Sequence, residues 1–124
     1  MKEIYTGNAP EAIGPYVQGY VSNGMVYTSG QLPVDPATGN MPEGIAAQAE
    51  QSCRNVAAVL TAGGADATTV VKTTCFLADM NDFAAFNAVY AEYFVNKPAR
   101  SCVAVKTLPK NALCEIEAVA EQKA

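Results

Sequence analysis

Residues 17–29 read V-Q-G-Y-V-S-N-G-M-V-Y-T-S. Two runs rich in β-branched and aromatic residues, 17–22 and 25–29, flank Asn23-Gly24. An Asn-Gly pair tolerates the positive φ angles of a two-residue turn, so the stretch predicts an antiparallel hairpin. Residues 33–44, P-V-D-P-A-T-G-N-M-P-E-G, hold three prolines and two glycines and predict a turn-rich loop. The loop gives way to a helical period. Ile45, Ala49, Cys53, Val56 and Leu60 fall three or four apart and make one apolar stripe, predicting a helix from Glu43 to Leu60 that Gly63-Gly64 ends.

Beyond the glycines, residues 69–77 (T-V-V-K-T-T-C-F-L) are strand-like. Asp79 or Asn81 is placed to cap a second helix, with Phe83, Phe86, Tyr90, Tyr93 and Phe94 as its buried face and Pro98 as its stop. Residues 100–106 and 113–120 predict two last strands around a turn at Leu108-Pro109-Lys110-Asn111. With a short N-terminal strand the order becomes β-β-β-α-β-α-β-β. Two helices cannot cover both faces of such a sheet, so the expected fold is a two-layer α+β domain with both helices on one face of a mixed sheet. The other face then needs cover, which further copies of the chain would supply.

Composition narrows the chemistry. The 124 residues predict a single domain, 1–124, with half its residues apolar and 16% charged. The net charge of −4 and the absence of any Lys/Arg block argue against a nucleic-acid groove. No apolar run reaches membrane-spanning length, and the opening M-K-E-I-Y-T has no signal-like core, so a soluble, cytoplasmic protein is expected. There is no histidine. Ser-His-Asp and Cys-His arrangements are therefore excluded, and the spacing of Cys53, Cys75, Cys102 and Cys114 does not suit an all-cysteine zinc site. These thiols read as small core residues rather than as disulfides, ligands or nucleophiles.

Strand alternation gives further expectations. In the last strand Cys114, Ile116, Ala118 and Ala120 form an apolar face suited to the helices, with Glu115 and Glu117 opposite. By the same logic Val103 and Val105 are expected toward the helices. Arg100 and Cys102 would then share the uncovered face with Glu115 or Glu117. An arginine and a carboxylate placed together make either a structural ion pair or a site for a small carboxylate.

Five stretches occur in register: G-P-Y-V-Q-G (14–19), T-S-G-Q-L-P-V-D-P-A-T-G (28–39), N-D-F-A-A-F-N-A-V-Y (81–90), P-A-R-S-C-V-A-V (98–105) and C-E-I-E-A-V-A (114–120). Together they closely resemble the RidA (YjgF) family of enamine/imine deaminases over essentially the whole chain. The resemblance implies a chorismate-mutase-like, ferredoxin-like fold and a homotrimer with sites in the clefts between subunits. It also implies hydrolysis of 2-aminoacrylate and 2-aminocrotonate to 2-keto acids and ammonia, with no metal and no organic cofactor. Carried onto this sequence, Arg100 binds the substrate carboxylate and Glu115 positions or activates water. Tyr16, Ser29, Gly30, Asn87 and Cys102 line the pocket, Cys102 through its backbone more than its thiol. The segment V-N-K-P (95–98) is shorter than in many relatives and lacks their aromatic residue, which bears on pocket shape. The alternative function is a non-catalytic trimeric binder or regulator that senses 2-keto or other small carboxylic acids.

Overall fold

Asn23 and Gly24 have φ angles of 51° and 77°, the positive values a two-residue hairpin requires, and Ser22 pairs with Met25 across them. The computed structural model describes residues 1–124 and builds outward from this hairpin. Its strands are β2 (Gly19–Ser22) and β3 (Met25–Thr28), and β1 (Lys2–Ile4) adds antiparallel to β2. Then come α1 (Ile45–Ala62), β4 (Val70–Leu77), α2 (Phe83–Tyr93), β5 (Ala99–Ala104) and β6 (Cys114–Glu121). This is the order expected from the sequence. The six strands form one sheet in the order β1-β2-β3-β6-β4-β5. All pairings are antiparallel except β4 with β5, so the sheet is mixed. No helix is long and apolar enough to cross a membrane.

Both helices pack on one face. The core joins Val56, Val59 and Leu60 of α1 and Phe86 of α2 to Val26, Leu77, Ile116 and Ala118 of the sheet. Strand β6 alternates as its sequence predicts: Cys114, Ile116, Ala118 and Ala120 are buried, and Glu117 is exposed. The opposite face carries Tyr27 and Val103, each almost half exposed. A smaller cluster of Leu32, Val34, Leu108 and Ala112, with Phe76 and Val105 against it, packs together the two long loops.

Local departures have local causes. Helix α1 begins at Ile45 rather than Glu43, because Gly44 holds a φ of 87° that no helix continues through. Asp79 does cap, but it accepts from Asn81 N–H in a 3₁₀ turn over 80–82 that leads into α2. Asn81 is not the cap. Of the expected buried face, Phe86 and Tyr90 of α2 and Phe94 just after it are buried, whereas Tyr93 is half-buried and Phe83 stands partly exposed at the rim.

The expected direction of β5 is overturned. The register sets Arg100 opposite Thr73 and Cys102 opposite Cys75. Thr73 and Cys75 are buried under the helices, so Arg100 and Cys102 point to the helix side and Val103 points away. Strand β5 is an edge strand whose facing is dictated by β4. Its helix-side surface is only partly roofed by α2, which leaves room for a guanidinium there. The apolar character of Val103 and Val105 therefore does not mark the helix side.

Candidate functional site

Two groups of the expected site residues emerge, on opposite faces of the sheet. The first surrounds Arg100. Its Nη1 donates to Asn87 Oδ1 at 2.8 Å, and its Cζ lies 4.7 Å from the Tyr90 ring centroid and 5.6 Å from that of Phe83. Phe83, Asn87 and Tyr90 are spaced four and three apart on α2, so one helix face presents all three. The chain's ion pairs are Arg54–Glu50 and Lys123–Asp66. Arg100 thus meets no carboxylate of its own chain, so a pair with Glu115 or Glu117 is not formed within one chain. Its half-buried guanidinium keeps donors to spare beside a shallow pocket formed with Ala91, Val95 and Pro98.

Cys102 follows on the same side of β5. Burial pushes its thiol up, and the neighbouring Arg100 opposes that shift without cancelling it. A protonated, half-buried thiol is a weak nucleophile. All four cysteines are free, and Cys53, Cys75 and Cys114 are buried. Burial holds Cys75 at about 12 and Cys114 at about 11. They are core residues.

The second group gathers on the open face. Asn55 of α1, fully buried, donates to the carbonyls of Leu32 and Val34 at 2.9 Å each and so pins the segment after β3. That segment pairs with β6 at one point, Gln31 N–H reaching the Ile116 carbonyl at 2.7 Å. Gly30 is thereby pressed against Glu115: a Cβ at position 30 would stand 2.7 Å from Glu115 Oε2. Ser29 Oγ donates to the Val17 carbonyl at 2.5 Å, tying β3 to the strand entering the hairpin. Tyr16, about half exposed, accepts from Ile13 N–H through its hydroxyl at 3.2 Å. Tyr16, Ser29, Gly30, Glu115 and Glu117 line one cleft of about 430 Å³, with Ile13, Leu32 and Pro109 as its apolar walls.

Burial raises the Glu115 carboxyl above the ordinary glutamate range, and Glu117 adds to the shift. No hydrogen bond or opposite charge offsets them. A half-buried carboxyl that holds its proton more tightly than an ordinary glutamate is suited to proton transfer. Sequence reasoning found Arg100, Asn87 and Glu115 but took Tyr90 and Phe83 only as core residues. The signal for their second role was their spacing around Asn87.

Residues 6–122 match the family described as endoribonuclease L-PSP. A 2-iminobutanoate/2-iminopropanoate deaminase of Salmonella typhimurium is 52% identical over 126 residues, covering 98% of each chain. Among solved structures, the YjgF gene product of Escherichia coli superposes with a TM-score of 0.95 at 50% identity, over 99% of this chain and 100% of that one. Escherichia coli TdcF with bound serine gives the same TM-score at 46% identity, over 99% and 100%. With sequence, fold and motif order in agreement along nearly its whole length, this chain belongs to the endoribonuclease L-PSP family, the RidA (YjgF) family that its motifs resemble.

Proposed function

We propose that this protein is an enamine/imine deaminase that hydrolyses small 2-imino acids to 2-keto acids and ammonia. The observation that carries the reading is Arg100. It is held in place by a helix yet is free of any carboxylate in its own chain, beside a pocket of small-molecule size. The relatives named as deaminases supply the reaction class.

The substrate is a three- or four-carbon 2-imino acid. Its carboxylate pairs with the Arg100 fork, a charge-assisted contact worth about 1.5–3 kcal/mol that fixes orientation. An enamine such as 2-aminoacrylate first becomes the imine by protonation at carbon. Water adds to C2 of 2-iminopropanoate, and the resulting carbinolamine expels ammonia to leave pyruvate. Glu115 takes a proton from the attacking water and returns one to the departing nitrogen. Help of this kind contributes about 10²–10⁴-fold. Its burial and its neighbour Glu117 make it a stronger base than an ordinary glutamate. The uncatalysed hydrolysis is already quick, so carboxylate binding and one acid–base group suffice for a site built without histidine. Cys102 lines the wall.

Arg100 and Glu115 project from opposite faces of one sheet, so a single chain does not bring them to one substrate. The reading therefore places the site between copies: Arg100, Asn87 and Cys102 of one subunit face Tyr16, Ser29, Gly30 and Glu115 of the next, in a homotrimer. The exposed Tyr27 and Val103 are suited to burial in such an assembly. A cytoplasmic location, where dehydratases release these intermediates, accords with the reading.

The test generates 2-aminoacrylate in situ with a serine dehydratase and follows pyruvate release against semicarbazide trapping. Faster release, lost in an Arg100→Ala protein of unchanged oligomeric mass, is the expected result. Unchanged release by the wild-type chain, together with tight binding of 2-keto acids, would instead establish a binder or regulator. Sequence-independent RNA binding at low salt would point to a nucleic-acid role, which the net charge of −4 opposes.

A further inference from the structure

Tyr90 is 8% exposed, and its hydroxyl lies 2.6 Å from Thr73 Oγ1 on β4. Its ring stacks on Phe94 at 4.5 Å between centroids and carries the Arg100 guanidinium on the same aromatic system at 4.7 Å. The hydroxyl is held against the sheet by its hydrogen bond with Thr73. What Tyr90 turns to Arg100 is its ring face.

A free arginine side chain populates many rotamers, and a bidentate grip on a carboxylate needs the planar fork in one orientation. The hydrogen bond from Nη1 to Asn87 fixes one corner of the fork and leaves rotation about that contact. An aromatic face under the guanidinium removes the rotation, because a planar cation over a ring prefers one plane. The ring is itself fixed at both ends, by Thr73 and by Phe94. A chain of rigid contacts thus runs from strand β4 through Tyr90 to Arg100.

We infer that Tyr90 is a positioning residue for the carboxylate clamp, its ring setting the plane of the Arg100 guanidinium and its bond to Thr73 setting the ring. This rests on Arg100 being the group that holds the substrate carboxylate.

Two readouts test it: the affinity for 2-oxobutanoate measured by calorimetry, and the side-chain Nε–H signal of Arg100 by NMR. The second is simple to assign because the chain has two arginines, Arg54 and Arg100. A folded Tyr90→Leu protein is expected to bind 2-oxobutanoate about tenfold more weakly, with KM raised by a similar factor and kcat changed less. Its Arg100 Nε–H signal should take on the mobility of an exposed arginine. Tyr90→Phe keeps the ring but loses the bond to Thr73, so its loss of affinity should match that of Thr73→Val, about two- to fivefold and smaller than in Tyr90→Leu. A role in packing alone would lower Tm in Tyr90→Leu without moving either readout. Wild-type affinity and a wild-type Arg100 signal in that variant overturn the inference. Should Tyr90→Leu fail to fold, Thr73→Val decides: freeing the phenol must weaken 2-oxobutanoate binding by about two- to fivefold, and unchanged affinity overturns the inference. Failure of the underlying reading looks different. There the wild type and Arg100→Ala bind and turn over alike however rigid Arg100 is, and the clamp and its positioning fall together.

Discussion

A carboxyl group half buried beside a second carboxyl holds its proton to higher pH than one in water. Glu115 is in that position, with burial the larger cause and Glu117 the smaller. As a base it must be ionised, so kcat/KM is expected to fall on the acid side with an apparent pKa above the ordinary glutamate range. Glu117→Gln should move that limb to lower pH, as measured by initial rates after subtraction of uncatalysed hydrolysis. The same shift has a stability consequence. Because the folded chain holds this proton more tightly than the unfolded chain, the favourable contribution is present below the unfolded pKa. It is lost as pH rises through the folded pKa. Glu115→Gln should therefore melt higher than the wild type at pH 7, with the gain vanishing in acid, while turnover is lost. A thermal-melt series against pH checks it, and a lower Tm for the variant at pH 7 would contradict the assignment. A gain in stability coupled to a loss of function is what a site held at the expense of stability produces.

Helix α2 does two jobs from one sequence. Phe86 is fully buried and fastens the helix to the sheet, while Asn87 and Tyr90 present Arg100. Phe86→Ala should cost about 3–5 kcal/mol in urea unfolding, since the whole ring is removed from a closed core; a cost below about 1 kcal/mol would show that α2 is not anchored there. The elements themselves were legible because each is marked locally: the Asn-Gly turn, the stripe from Ile45 to Leu60, the alternation from Cys114 to Ala120. The direction of β5 was not. Val103 and Val105 read as core, yet the register with β4 turns Val103 outward and Arg100 under α2. Alternation tells which residues share a face, but not which face, when an edge strand is apolar on the side away from the helices. The candidate site was legible as a set of residues and not as a geometry, for the same reason.

At the scale of the whole molecule, the sheet that separates Arg100 from Glu115 also makes a decisive experiment possible. Within one chain the two residues occupy opposite faces, Arg100 beneath α2 and Glu115 beside Gly30. If substrate needs both, each site takes its arginine from one subunit and its glutamate from another. Arg100→Ala and Glu115→Gln homo-oligomers are then each inactive for different reasons. Unfolding them together in equal amounts and refolding should create mixed assemblies in which some clefts join an intact Arg100 from one variant to an intact Glu115 from the other. Random mixing of two subunit types in a ring places the right pair at about one cleft in four, so about a quarter of wild-type turnover should return. Mixing folded variants without subunit exchange should restore nothing, and a mixture of either variant with itself is the control. A refolded mixture that has the mass of the wild-type assembly and no activity would mean that each site draws both residues from one chain. The faces of this sheet do not permit that without a rearrangement of β5, so such a result would place the reaction at another pair of groups.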